Sequence, residues 1–267
     1  EGEQDVDYDN SGDDCGNIPD FVQLDLRGEQ TIVDRETLVN LPESLLIAMF
    51  PNGLILVKKE ATASLMRVEE NHTLINEEEE LMLAYVDFNS SCLKYVLDVF
   101  QQAQQKVPEY RSSPLFMNKQ AIIVLREELE YYCITQQQQH SQKQLKIAAG
   151  EYLTNNNQVF SALLKNIERE QNVSEQHLID MLCNAGFTKE DKWAFRELEP
   201  NRTCVMSISL VPLKYSNDKD TANKLLLFWR KPARKCWWEG TTIELQKIEK
   251  PIRLWSRRTW TLELALI

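Results

Sequence analysis

Three tryptophans and four cations crowd into the ten positions of WRKPARKCWW, residues 229–238. Tryptophan offers a broad apolar face, and a guanidinium stacks on it while keeping donors free for a carboxylate or phosphate. The combination suits recognition of acidic or aromatic groups on a protein, of a phosphate-bearing lipid head or of single-stranded nucleic acid. It equally suits a bland role. Trp229 and one of Trp237 and Trp238 would then fill a sheet core, while Arg230, Lys231, Arg234 and Lys235 solvate a hairpin end around Pro232. A second cluster follows: Ile252, Leu254, Trp260, Leu262, Leu264 and Leu266 fall on even positions, Arg253, Trp255, Arg257, Thr259 and Glu263 on odd ones. An unbroken strand there presents Arg253, Trp255 and Arg257 on one face. The candidate partner-binding residues are therefore Trp229, Arg230, Lys231, Arg234, Lys235, Trp237, Trp238, Arg253, Trp255 and Arg257.

Catalysis would need a nucleophile beside a base, a metal cluster or a phosphate cradle. The three histidines, His72, His140 and His177, have no second His or Cys at ligand spacing. Neither GxSxG nor GxxxxGK[ST] occurs, and the eight glycines are scattered. His177 falls in the first turn of a predicted helix, where a surface role is expected. The acidic pair Glu127 and Glu128 reads as two solvated carboxylates on a helix surface, whereas a general acid needs burial to raise its pKa. The expectation is a chain with no catalytic residue, no metal and no cofactor.

Composition bounds the setting. The chain has 267 residues, 43% hydrophobic and 27% charged, enough to bury a real core. The first twenty residues carry eight Asp or Glu and no Lys or Arg, unlike a signal or transit peptide, and no long apolar run occurs. An intracellular chain with no membrane insertion is expected. Six cysteines (15, 92, 133, 183, 204 and 236) are widely spaced and read as reduced, mostly buried thiols; the four N-x-[ST] triplets are discounted as glycan sites. Residues 224–267 hold ten Lys or Arg against four Asp or Glu, so residues 1–223 carry −17 of a total of −11. That polarity favours charge-directed contact with a partner, or between the two parts of the chain, over general nucleic-acid binding.

The elements that must position these residues follow from pattern. Residues 1–20 read as an acidic, disordered leader. Val22, Leu24 and Leu26 alternate with polar residues, and Gly28 permits a turn into Thr31, Ile32 and Val33, a hairpin. Pro42 opens a short helix with Leu45, Leu46, Met49 and Phe50 on its apolar face, stopped by Pro51 and Asn52-Gly53. A strand over 84–88 leads to a helix capped by Ser90 or Ser91, and residues 101–120 read as a linker. AIIVLREELEYYCI starts as a strand or helix onset and continues with charged, helix-favouring residues. Helices are expected over about 145–165 and from a Ser174 cap to Gly186, with Leu178, Met181, Leu182 and Ala185 on one face. After residue 200 the pattern is sheet: TCVMSISLVPL, KLLLFW (224–229) and the final strand.

VQLDLRGEQTIVDRETLVNLPESLLIAMFPNG followed by YVDFNSSCLKYVLDVF resembles the BTB/POZ fold of the potassium-channel tetramerisation type, with Arg27-Gly28 where that hairpin usually has Gly-Gly. AIIVLREELEYYC, KIAAGEYLT, EQHLIDMLCNAGFTKE, KLLLFWRKPARKCWW and RRTWTLELALI resemble the fungal Whi-two family of growth regulators, across nearly the whole chain. Pattern and resemblance together give an α+β architecture. It comprises a leader (1–20), a BTB/POZ-like domain (21–104), a linker (105–120), a helical segment (121–200) and a basic, Trp-rich, antiparallel β-rich domain (201–267). The resemblance also implies a non-enzymatic regulator that binds and activates a plasma-membrane-anchored, haloacid-dehalogenase-type phosphatase in the general stress response. With it, the chain would restrain TOR growth signalling at low amino acids. Such a protein is cytoplasmic, is recruited to the plasma membrane through its partner, and self-associates through residues 21–104. The alternative implied by the BTB-type domain alone is an adaptor of a cullin-RING ubiquitin ligase, with Leu45 to Phe50 facing the cullin.

Overall fold

The computed structural model describes residues 18–58, 82–105, 119–134, 141–170, 173–199, 201, 203–214, 232–245 and 251–267. The described residues pack into two compact units, one from residues up to 39 with 54–86, the other from 40–53 with 87–267.

In the first unit, strands β1 (Phe21–Leu26) and β2 (Glu29–Asp34) form the expected hairpin, followed by helix α1 (Arg35–Val39). Arg27 and Gly28 both take positive φ, 57° and 95°, which matches the twist of a two-residue hairpin turn. Asp25 Oδ1 accepts from the Gly28 amide at 2.7 Å and holds the turn. Strand β4 (Met82–Val86) runs parallel to β1, and β3 (Val57–Lys58) antiparallel to β4, giving the order β2-β1-β4-β3. Val22, Leu24, Leu26, Val33, Leu38, Leu83 and Val86 are its buried core.

The second unit is built on a five-stranded antiparallel sheet in the order β6-β7-β5-β9-β8. Its members are β5 (Ala121–Ile134), β6 (Phe195–Leu198), β7 (Cys204–Pro212), β8 (Ala233–Ile243) and β9 (Ile252–Leu266). Among the described residues the second unit also holds helices α2 (Glu43–Met49), α3 (Ser90–Gln105), α4 (Gln142–Asn155), α5 (Ser161–Glu170) and α6 (Val173–Ala185).

Several sequence expectations are corrected. AIIVLREELEYYCI is one strand throughout, the central strand of the sheet, so the helical middle begins only at Gln142. Its helix-favouring glutamates are neutralised in the strand, Glu127 and Glu130 by arginines of β6 and β9 and Glu128 by Arg126 two residues away, which outweighs a propensity of a few tenths of a kcal/mol per residue. The single helix expected over 145–165 is two, α4 and α5, separated by Asn156 to Phe160. Asn89, not Ser90 or Ser91, caps α3: its Oδ1 accepts from the Cys92 amide at 3.1 Å. Pro42 does stand at the start of α2, and the even positions of β9 are buried from 252 to 264 as the alternation requires. The strand expected at 224–229 lies outside the described residues.

Two faces of this sheet have different fates. Odd residues of β5 and β8 and even residues of β9 face helices α4, α5 and α6. There Ile123, Leu125, Leu163, Ile179, Leu182, Phe160, Trp193, Trp260 and Leu262 form one core cluster, and Leu129, Tyr131, Leu145, Ala149, Val205, Ile252 and Leu254 another. On the opposite face α2 and α3 cover one half. Ser44 donates through its amide (3.1 Å) and its hydroxyl (2.5 Å) to the Glu263 carboxylate, and Tyr95 Oη accepts from the Leu210 amide at 2.9 Å. These ties group α2 and α3 with the C-terminal sheet, a division different from the expected boundary at 104.

Candidate partner-binding face

Strand parity separates the candidate residues. β8 and β9 pair with Trp238 opposite Arg257 and Gly240 opposite Trp255, so Arg234, Trp238, Arg253, Trp255 and Arg257 share one face. This is the face whose other half α2 and α3 cover. Lys235 and Trp237, one position out of step, point the other way: Lys235 Nζ reaches the buried Glu175 at 3.0 Å, and Trp237 packs edge-on against Trp260 at 5.7 Å. Those two belong to the core side, a correction forced by the period of two. The stretch from Ala233 is already strand, so Arg234 and Lys235 lie within β8 and not at a hairpin end around Pro232. Trp229, Arg230 and Lys231 lie outside the described residues.

The open half holds a residue that the sequence reading missed. Tyr132 of β5 pairs with Trp255 and is 48% exposed; Trp238 is 49% and Trp255 41% exposed. Trp238 stacks on both others, at 6.2 Å from Tyr132 and 6.3 Å from Trp255, with rings 26° and 27° from parallel. Gly240 makes this possible. A Cβ there would lie 2.7 Å from a Trp255 ring carbon, so the indole lies down across β8 where a side chain would otherwise stand. Exposed Ile134 extends the apolar surface. Arg257 donates to Glu130 at 2.6 Å in a partly exposed pair, whereas Arg234 and Arg253 are exposed and meet no carboxylate among the described residues. Tyr132 was legible only once β5 was known to be strand, because its parity against Trp255 carries the signal.

The helix-covered face carries the strongest electrostatics, and its geometry argues against chemistry. Glu127 is fully buried. Its Oε1 accepts from Arg196 at 2.5 Å, and its Oε2 from Arg258 (2.5 Å) and from Trp260 Nε1 (2.8 Å). Arg258 also reaches Glu239 at 2.8 Å, and Arg196 reaches Ser207 and the Leu153 carbonyl. Burial alone would push the Glu127 carboxyl up, but the Arg258 and Arg196 guanidiniums outweigh it and hold the group below the usual carboxylate range. With both oxygens engaged, it is poorly placed to take a substrate proton. Glu263 is the contrast: burial raises its pKa despite the bonds from Ser44. The expected solvated glutamates on a helix are thus replaced by a buried, paired Glu127 on a strand. His177 is exposed, as expected; Cys92 and Cys204 are buried, Cys133 and Cys183 half-buried and Cys236 exposed. Among the described residues no helix is long and apolar enough to cross a membrane.

Comparison with known proteins places this architecture. The chain is 31% identical to a WHI2-like protein of Schizosaccharomyces pombe, over 93% of this chain and 88% of the relative. It is 24% identical to a protein of Saccharomyces cerevisiae named as a growth regulation protein, over 99% of this chain and 94% of the relative. That alignment spans 472 positions, so the relative carries insertions absent here. An uncharacterised Schizosaccharomyces pombe protein is 25% identical over 94% of this chain. No protein-family model and no solved structure matches the chain. Identity of this extent, running through both compact units, shows that the chain belongs to the WHI2-like family.

Proposed function

We propose that this chain is a non-enzymatic growth regulator that binds and activates a plasma-membrane-anchored phosphatase of the haloacid-dehalogenase type, and through it restrains TOR signalling when amino acids are low. The observation that carries the growth-regulatory part is the match, over nearly all of both chains, to a protein named for growth regulation. The partner-binding part is supported by the exposed aromatic and cationic face of the sheet, an arrangement enriched at protein interfaces. The saturated state of Glu127 supports the non-enzymatic part. The β1–β2 hairpin, the parallel pairing of β1 with β4 and the short helix α1 support a BTB/POZ-like reading of the N-terminal region, with self-association through residues 21–104.

Affinity purification of the full chain from amino-acid-starved fungal cells, with mass spectrometry of the bound proteins, tests this reading. Recovery of a haloacid-dehalogenase-type phosphatase, with TOR signalling remaining high on starvation when the chain is deleted, is expected. Recovery of a cullin in place of the phosphatase would favour a ubiquitin-ligase adaptor.

A further inference from the structure

Building on the proposal that the chain acts by holding a partner, we propose that the open half of the sheet face docks a short acidic segment of a partner protein. Its carboxylates would meet Arg253 and Arg257, and its apolar side chains would lie on Tyr132, Trp238 and Trp255.

Three features of the face select that occupant. Its apolar part is already assembled: Trp238 stacks on both Tyr132 and Trp255, and Trp255 lies in the space that Gly240 leaves empty. Rings already held in place lose little freedom on binding, so contact area converts more fully into affinity. Among the described residues its charge favours an anion, since Arg253 meets no carboxylate and Arg257 meets only Glu130, while Glu128, the next carboxylate on this face, pairs with Arg126. A partly exposed pair such as Arg257 with Glu130 is weak enough in water to be remade with an incoming carboxylate.

The size of the occupant follows from the charge of the whole chain. Exposed charges are screened beyond about 8–10 Å at physiological salt, so a short segment feels the local arginines and little else. A lipid surface or a long polynucleotide extends much further and meets a chain of net charge −11. A short acidic segment is therefore favoured over either extended polyanion.

The test uses the full chain and three probes: a short synthetic peptide alternating Glu with Leu and Phe, its counterpart with Lys for Glu, and vesicles of phosphatidylserine with phosphatidylcholine. The Glu peptide is expected to bind saturably by calorimetry and to perturb tryptophan emission, more weakly as salt rises. The Lys peptide and the vesicles are expected not to bind. Trp238→Ala and Arg253→Glu should each weaken the Glu peptide about tenfold or more, as truncation of interface anchors does, while Lys189→Glu at an exposed turn after α6 leaves it unchanged. Circular dichroism confirms that each variant is folded, and Arg253→Glu, an exposed change, serves if Trp238→Ala does not fold. Absence of Glu-peptide binding, equal binding of the Lys peptide, indifference to both face variants, or vesicle binding that those variants abolish would each overturn the assignment. If the peptide fails while the phosphatase still co-purifies, this face is wrong and the regulator reading stands; the reverse pattern faults the phosphatase and keeps the face.

Discussion

One sheet face has two halves made by the same strands in the same alternation, and they could hardly differ more. Toward the N-terminal end of β5, Val124, Arg126 and Glu263 lie under α2 and α3, and a carboxylate there is buried against Ser44. Toward its C-terminal end, Tyr132, Ile134, Trp238, Trp255 and Arg253 stand in solvent. Strand periodicity fixes which residues share a face, but only a second element decides whether that face is core or surface. Large aromatics left on the uncovered half therefore point to a contact outside the described structure, since single exposed apolar residues are common but a stacked set of three is not.

The largest effect lies on neither half but on the opposite face, which sets the scale. Glu127→Ala should cost about 3–5 kcal/mol in urea unfolding, because it leaves Arg196 and Arg258 buried without their shared carboxylate. Since the folded Glu127 titrates below its ordinary value, its contribution is complete above about pH 4.3 and is lost as pH falls through the depressed folded value. The variant should lack that part of the acid-induced loss.

On the covered half the effect is smaller and the pH sign reverses. Ser44→Ala should cost about 1–3 kcal/mol by leaving the buried Glu263 carboxylate one donor short. Because burial raises the folded pKa of Glu263, the native state binds the extra proton, and stability declines as pH rises from about 4.3 through the raised value. Glu263→Gln should flatten that decline. A pH dependence identical to wild type would show that Glu263 is not desolvated as the packing of α2 requires.

On the open half the expected stability changes are smaller still. Gly240→Ala must displace the Trp255 ring, yet that ring is exposed and can swing outward, so a cost below about 1 kcal/mol is expected alongside a clear change in near-ultraviolet dichroism. Arg253→Glu should change stability by no more than about 0.5 kcal/mol. A loss of several kcal/mol from either substitution would mean that the open half is structural.

These contrasts also mark what the sequence could disclose. The alternation in the first half of β9 predicted the burial of Ile252 and Leu254 and the exposure of Arg253 and Trp255, because a strand with one wet face writes its period into residue type. β5 hid itself because Arg126, Glu127, Glu128 and Glu130 look like a helix surface, and the cations that neutralise Glu127 and Glu130 lie far along the chain on β6 and β9, while Arg126 and Glu128 pair with each other. The split of Lys235 and Trp237 from Arg234 and Trp238 required knowing that the segment is strand, since in a loop the four have no common reference. The role of α2 was illegible for a different reason: its attachment to Glu263 spans 219 residues, and no local signal encodes a contact of that separation.

The measurement that bears most directly on the central claim is recovery of the phosphatase by the full chain, compared between wild type and a folded Trp238→Ala/Arg253→Glu variant. Retention by wild type and loss by the variant, with urea unfolding showing the expected small stability change, is the predicted result. Equal recovery of the phosphatase by both would contradict the account, because it would place the partner contact somewhere other than the open half of the sheet.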